Sequence, residues 1–560
     1  MIPRNACVVS AALLICTACG GGNSPGPGNQ NPPPPNQSPP PPNQNPPPPT
    51  YTVGGSVSGL SGSGLKLQNG TSHLSVAAAG AFTFPDPLAG GASYSVSVET
   101  QPTNPAQTCT VANGSGTVGH ANVTDIAVTC TTLETGRHWQ TATAIEQVAG
   151  VTDDAASVVV NAHGTAVAVW RRQVAGGLFQ IWASRSAPGS GTWSAPVRIG
   201  PESGTGNFGA SGPPKLAIAD NGSSAVAWTQ QDNGMADVFA SRYTDAGGWE
   251  AATRVSSAGS AFAADPAVVL DSNGNSLVTW EQAEGTSDHI QFSRLASGAT
   301  TWSAPVQIDT AATEASGARL AADAHGNAVA IWEQDALEQR LVTRRIWSST
   351  YTSAGTWSAP VLVSGGDSNS QVTTGSVVSN GAGIAQTLWQ QVDGSLWSSR
   401  YTPGTGWDTA KQVEAIASGA GAAELAIDQN GNVLAVWQRN TAQAGHIVYS
   451  RFSASDGWTA PAAVSPGDAS SDESAEFPQV GFDGQGDAIA IWTRLVGADM
   501  SARSAVYTPA TGWGDAVGVA NSTDVVAATV AVAPDGTGIA IWNQAVGPPS
   551  GTTLWSSRFE

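Results

Sequence analysis

Between Tyr51 and Glu560 the chain runs in short apolar stretches broken by polar turns. One unit reads in full from Pro266. PAVVL is small and apolar, and DSNGN (Asp271 to Asn275) has the residues of a tight turn. SLVTW returns to an apolar run ending at Trp280, a third run ends near Ser293-Arg294, and WSAPVQI (Trp302 to Ile308) completes the unit. Runs of this length bounded by Gly, Asp and Asn predict β-strands, with Asp capping the turn and Gly supplying positive φ.

The unit recurs. Trp170, Trp228, Trp280, Trp332, Trp389, Trp437, Trp492 and Trp542 each have a Gly six residues earlier, and in six of them Asp or Asn stands nine residues earlier (Asn161, Asp271, Asp323, Asn380, Asp428, Asp483). A second tryptophan series, beginning Trp193, Trp249 and Trp302, lies one hairpin later, after strands ending in Ser-Arg-aromatic such as Ser241-Arg242-Tyr243. Four antiparallel strands recurring at about 50 residues predict the blade of a β-propeller, with small residues at its crowded axis. The array stops at Phe559-Glu560 inside a third strand and starts with an orphan fourth strand, His138 to Val148. That strand should complete blade eight and seal one ring without edges. The fold class expected is therefore all-β: a small immunoglobulin-like or transthyretin-like sandwich followed by a closed eight-bladed propeller of four-stranded blades.

The remaining segments follow from composition. Residues 1–18 read as a signal peptide, with Arg4 before an apolar run. Residues 19–50 form a Pro/Asn/Gln-rich tether with 14 prolines, which favours extended polyproline II. Residues 51–132 carry the sandwich strands and residues 133–560 the propeller. Cys19 after Thr17 and Ala18 resembles a bacterial lipobox, with Cys16 where Leu is usual, and Gly20 resembles the outer-membrane sorting class. The resemblance implies lipidation of Cys19 and anchoring in the outer membrane, facing the surface or the periplasm; plain secretion is the alternative. Of five cysteines only Cys109 and Cys130 then remain, a pair expected to form a disulfide in an oxidising compartment. The formal charge of −20, from 22 Lys plus Arg against 42 Asp plus Glu, excludes a basic nucleic-acid binder.

The repeat resembles the bacterial neuraminidase-type (BNR, Asp-box) propellers, through turns such as SASDGW (Ser453 to Trp458) and TDAGGW (Thr244 to Trp249). A sialidase of that family implies an arginine triad and an Arg-Ile-Pro motif, and no Arg-x-Pro occurs here. The repeated arginines, Arg185, Arg242, Arg294, Arg400, Arg451 and Arg558, hold one equivalent position in different blades, which argues for a structural salt bridge or backbone hydrogen bond. Asp-x-x-Gly turns such as Asp271 to Asn275 read as turn chemistry over calcium, and the scattered histidines show no metal-ligand spacing. No metal or cofactor is expected.

Two rings are candidates for ligand contact. Two residues after each core tryptophan stand Arg172, Gln230, Gln282, Gln334, Gln391, Arg439, Arg494 and Gln544. Trp182, Trp347, Trp397 and Trp555 recur three residues before the arginine position. Inter-blade packing is the competing reading of both. The long variable loops share one face of the ring and form the candidate binding surface. The leading expectation is a non-catalytic, monomeric, lipid-anchored binder of a protein or glycan on that face, touching membrane through its anchor only. The alternatives are a glycan-processing enzyme, a sialidase-like hydrolase or lyase, with its site among those loops, or a structural envelope component. A convergent cluster of carboxylates and Arg on the long-loop face would favour the enzyme, and an exposed aromatic cleft without one a lectin. Cys19→Ser should move the protein from membranes to the soluble fraction; wild-type protein that is already soluble and carries no acyl mass contradicts the anchor.

Overall fold

The computed structural model describes residues 48–560, apart from 61–62, 103–106, 133–136, 147–150, 174–178, 201–212, 233–234, 258–261, 311–312, 339–340, 366–371, 416–419, 441–444, 465–472, 521–523 and 547–550. Cys19 and nearly all of the tether lie outside the described residues. The chain divides into two compact units between Thr131 and Thr132, and no helix occurs among the described residues.

The first unit is built from two four-stranded sheets and a two-stranded one, Thr50–Tyr51 with Leu88–Ala89. One four-stranded sheet orders Gly80–Thr83, Val53–Ser58, Val123–Thr132 and Gln107–Ala112, and the other Ser72–Val76, Leu65–Asn69, Ser93–Thr100 and Ser115–Thr117. Val53, Leu65, Leu67, Phe84, Ile126 and Val128 form their shared core. Cys109 and Cys130, on neighbouring strands and both buried, are disulfide-bonded.

The second unit holds eight antiparallel sheets. Blade 3 is representative, with Ala263–Leu270, Ser276–Glu284, Ser287–Leu295 and Val306–Gln307 in spatial order. Its fourth strand is shorter than the seven residues expected, and the ladders Thr253–Arg254 and Val517–Gly518, in blades with no proline there, are equally short. Ser303 and Ile308 still donate to Arg294 and Ile290 on either side of Val306–Gln307 (both 2.9 Å). The first strands contact one another around a complete circle, blade 8 touching blade 1.

Closure is by exchange of strands. Thr143–Ala144 pairs with Gly551–Phe559, the third strand of blade 8. The His138 amide donates to Glu560 (2.8 Å), that of Gln140 to Arg558 (2.7 Å) and that of Ile145 to Leu554 (2.8 Å). Trp139 packs on Phe559 with ring centroids 5.3 Å apart.

Each core tryptophan is buried against the preceding sheet. Trp332 of blade 4 lies with Leu277 and Ile290 of blade 3, and Trp170 of blade 1 with Ile539, Ile541 and Leu554 of blade 8. Four of the six repeated arginines bind neighbouring blades together. Arg242 donates to the carbonyls of Ala296 and Ala299 in the next blade (3.0 and 2.7 Å), Arg185 to Gly222 (3.0 Å) and Arg400 to Gly431 (2.9 Å). Arg558 of blade 8 does the same to Ser190 of blade 1 (3.3 Å).

The tight turns confirm the backbone chemistry expected of them. Asp271 Oδ1 accepts the amides of Asn273 and Asn275 (2.9 and 2.8 Å), and Asn275 Nδ2 donates to its Oδ2 (2.6 Å). Asp323–Asn327 and Asp428–Asn432 repeat this side-chain clasp (2.8 and 2.7 Å). Blade 7 departs from it: Asp487 replaces the asparagine, and Asp483 Oδ2 is buried without a hydrogen-bond partner. Burial, and then the Asp483 charge, push the Asp487 carboxyl up to about 6 against the opposing pull of Arg137.

Two outcomes follow. Deleting 138–148 should expose a strand edge and cost on the order of 3–5 kcal/mol through the lost Trp139 packing. Thermal melting checks this, and a deletion that melts like the full ring contradicts closure. Asp487 holds its proton more tightly folded than unfolded. Its contribution is therefore fully present below its ordinary value of 3.8 and is lost as pH rises through about 6. Asp487→Asn, which restores the clasp, should melt above wild type at pH ~7.5 and lose that advantage toward pH ~4, where the protonated carboxyl itself can donate.

Candidate functional site at the channel mouth

A cavity of about 720 Å³ lies on the axis, walled by the first strands of all eight blades. A single register position supplies much of the wall. Ser157, Lys215, Ala267, Arg319, Ser376, Glu424, Gln479 and Thr529 each pair with the residue just before a core tryptophan. Seven of the eight side chains are polar, in a layer where packing alone would select small apolar ones. Glu424 accepts a hydrogen bond from Gln479 and feels Lys215 and Arg319; burial pushes its carboxyl up. Burial likewise lowers the Lys215 ammonium, helped by Arg319 and opposed by Asp265 and Glu424. Blades 2 and 6 stand opposite each other in an eight-membered ring, so Lys215 and Glu424 face each other across the channel and each feels the other's charge.

Just before this layer the first strands slip register in blades 1 and 3 to 8. The bulge residue takes positive φ at Ala155 (51°), Asp265 (47°), Gly317 (65°), Phe477 (53°) and Ala527 (53°). Bulges re-aim side chains and are frequent beside functional sites. These sit at the N-terminal ends of the first strands, beside the inter-blade connections and the hairpins between second and third strands. That end is the long-loop face, and the bulges ring its channel mouth.

Charged groups converge at the mouth on blades 3 and 4. Arg319 Nη1 donates to Asp265 Oδ2 (3.0 Å). Arg344 lies 3.6 Å from Glu333 and donates to Asp335 (3.2 Å). Glu281, the residue after the blade 3 tryptophan, points toward blade 4 and accepts the backbone N–H of Gly317. A side chain at Gly317 would meet Glu333 Oε1 at 3.6 Å, so Glu281 and Glu333 both approach this one bulge. Burial first, then the charges of Asp288 and Asp265, push the Glu281 carboxyl up to about 7, with Gly317 and Arg344 pulling it down. Burial raises Glu333 as well, against Arg344 and Arg319. The mouth thus holds a carboxyl that gives and takes a proton near neutrality, beside further carboxylates and two guanidinium groups.

The rings singled out in the sequence lie elsewhere. Gln230, Gln282, Gln334 and Gln544 accept the indole N–H of their own core tryptophans (3.2, 3.1, 3.0 and 3.3 Å). Gln334 also donates to the Thr310 carbonyl in the connection from blade 3 (2.8 Å). Arg172 is buried in ion pairs with Asp153 (2.7 Å) and Glu146. Arg439 and Arg494 pair with Glu414 and Glu473, and Gln391 lies by Ser395. Trp182, Trp347, Trp397 and Trp555 stand directly across from core tryptophans, half-buried in the seams between blades. Each ring is spread around the blades and is not gathered into one cleft. Asp265, Glu281, Arg319, Glu333, Arg344 and Phe477 were not singled out. Counting 13 residues back from each tryptophan finds the axial layer, 15 back the bulge and one forward Glu281 and Glu333.

No protein-family model matches the chain, and no curated protein is significantly similar to it. Among solved structures, a polysaccharide lyase of family PL25, an ulvan lyase bound to -[GlcA(1-4)Rha3S]-, is 11% identical over 68% of this chain and 97% of its own, with a TM-score of 0.41. The α-L-arabinanase of Penicillium chrysogenum complexed with arabinobiose is 11% identical over 54% of this chain and 94% of its own, TM-score 0.34. The intramolecular trans-sialidase of Ruminococcus gnavus is 10% identical over 76% of this chain and 94% of its own, TM-score 0.31. At such identities and scores none of them tells what this chain acts on.

Proposed function

We propose that the propeller is a glycan-processing enzyme working at the channel mouth, on a protein held outside the cytoplasm by the Cys19 anchor and its tether. The observation that carries this reading is the convergence of Glu281, Asp265, Glu333 and Asp335 with Arg319 and Arg344 at the long-loop end of the axis. Glycosidic bonds are cleaved by a paired acid and carboxylate, and the acid must keep its proton near neutral pH. Glu281 meets that requirement through burial and neighbouring negative charge. In hydrolysis Glu281 gives its proton to the glycosidic oxygen as the bond to the anomeric carbon breaks. A water adds its oxygen to that carbon, and Asp265, paired with Arg319, is the candidate to take the water's proton. A purely binding role, the first expectation from the sequence, asks for no such carboxyl and is less well supported by this mouth.

The test uses the soluble protein from Tyr51 onward against a panel of neutral and acidic polysaccharides, scored for new reducing ends and for the ultraviolet absorbance of unsaturated products. Glu281→Gln should lower turnover by about 10²–10⁴-fold with the fold retained, as expected for loss of a general acid. A Glu281→Gln protein as active as wild type, or a wild type that cleaves nothing in the panel, overturns the proposal.

A further inference from the structure

One bulge carries a side chain that the fold does not explain. Phe477, in the first strand of blade 7, has φ of 53° and is 56% exposed. Positive φ in a residue of this bulk is a backbone outlier, disfavoured by contact between Cβ and the chain. Other blades meet the same requirement with Ala155, Gly317 and Ala527, so the bulge itself needs no aromatic. Nor does the core: Phe477 belongs to none of the buried apolar clusters among the described residues, the nearest of which takes Ala475 and Val480 from the same strand. A strained residue with its large apolar side chain in water persists where a function holds it.

Its place in the ring suggests that function. Blade 7 stands opposite blade 3 in an eight-membered circle, and Phe477 occupies the register position that Asp265 occupies in blade 3. The mouth therefore has an acid and guanidinium wall on blades 3 and 4 and an apolar ring on the far side. A pyranose has this same two-sided character, with hydroxyls at its edge and a patch of C–H groups on its face, and aromatic surfaces in binding sites take up such apolar faces while a few polar groups orient the ligand.

Building on the proposed function, we propose that Phe477 is a substrate-binding residue, the platform on which one sugar ring of the glycan stacks. The strained conformation makes a specific signature possible. Phe477→Gly relieves the positive φ and removes the exposed ring, so it should leave melting unchanged or raise it by about 1–3 °C. The same substitution should weaken glycan binding at least ~10-fold, an effect like that of losing an aromatic anchor, while Phe477→Trp preserves it. Binding is read by affinity electrophoresis of the protein from Tyr51 onward in native gels containing arabinan, xylan, polygalacturonate or chondroitin sulfate. Glu281→Gln is run alongside and should be retarded like wild type.

Retardation that falls in Phe477→Gly and survives in Phe477→Trp and Glu281→Gln supports the platform. If retardation depends on Phe477 but no polysaccharide is cleaved, the platform stands and the enzymatic reading falls. If cleavage is found and Phe477→Gly keeps wild-type retardation and KM, the platform falls and the chemistry stands. A Phe477→Gly protein that melts well below wild type shows a packing role and overturns the platform, and a wild type that none of the four gels retards overturns it too.

Discussion

The whole propeller depends on seating one indole against the preceding sheet eight times over. A tryptophan inside a β-blade buries a large apolar surface but brings an N–H that must find an acceptor. Blades 2, 3, 4 and 8 meet the demand with the glutamine two residues on, from the same face of the same strand. In blades 3 and 4 the glutamine then reaches the incoming connection, through the Ser257 amide and the Thr310 carbonyl, so one short segment fixes the core and the join between blades. Where arginine replaces glutamine, as at Arg172, the arginine pairs with a carboxylate instead, and the indole N–H groups of Trp389 and Trp437 are buried without a hydrogen-bond partner. Arg185, Arg242, Arg400 and Arg558, at the ends of third strands, complete the seam, and strand exchange through Thr143–Ala144 lets blades 8 and 1 meet as the others do.

A ring so determined leaves its axis free to vary. The axial layer bears Lys, Arg, Glu and Gln at a position where the blade requires only that the residue fit, and bulges next to it turn the following side chains toward the mouth. Strain is tolerated there because the neighbouring ladders are regular. At the axial position eight similar units present seven different residue types, with only Ser occurring twice.

Much of the architecture was legible because it repeats. The spacing from Gly164 to Trp170, recurring to Gly536 and Trp542, fixes turn and strand together, and the unfinished third strand at Phe559 asks for the strand at Trp139. The proposed site was not legible for the same reason. Repetition draws attention to positions that stay constant, such as Gln282 and Gln334, and those are constant because the blade uses them. Glu281 and Glu333 stand one residue earlier, on the opposite face of the strand; Glu281 becomes meaningful only when the next blade brings Gly317 against it, and Glu333 only when the bulge of its own blade does. The bulge at Phe477 leaves no mark in a single strand's pattern, because one inserted residue shifts the alternation without changing composition.

The account turns on Glu281 being a carboxyl that burial and neighbouring acids hold half-protonated near neutral pH. The direct measurement is a pH titration followed by NMR of protein carrying 13C at the glutamate side-chain carboxyl, with the Glu281 signal assigned as the one absent from Glu281→Gln. The account requires a midpoint near the value of about 7 set by its surroundings. A midpoint at the ordinary glutamate value of 4.5 would mean that water reaches the carboxyl freely, and the mouth would then have no acid suited to the chemistry.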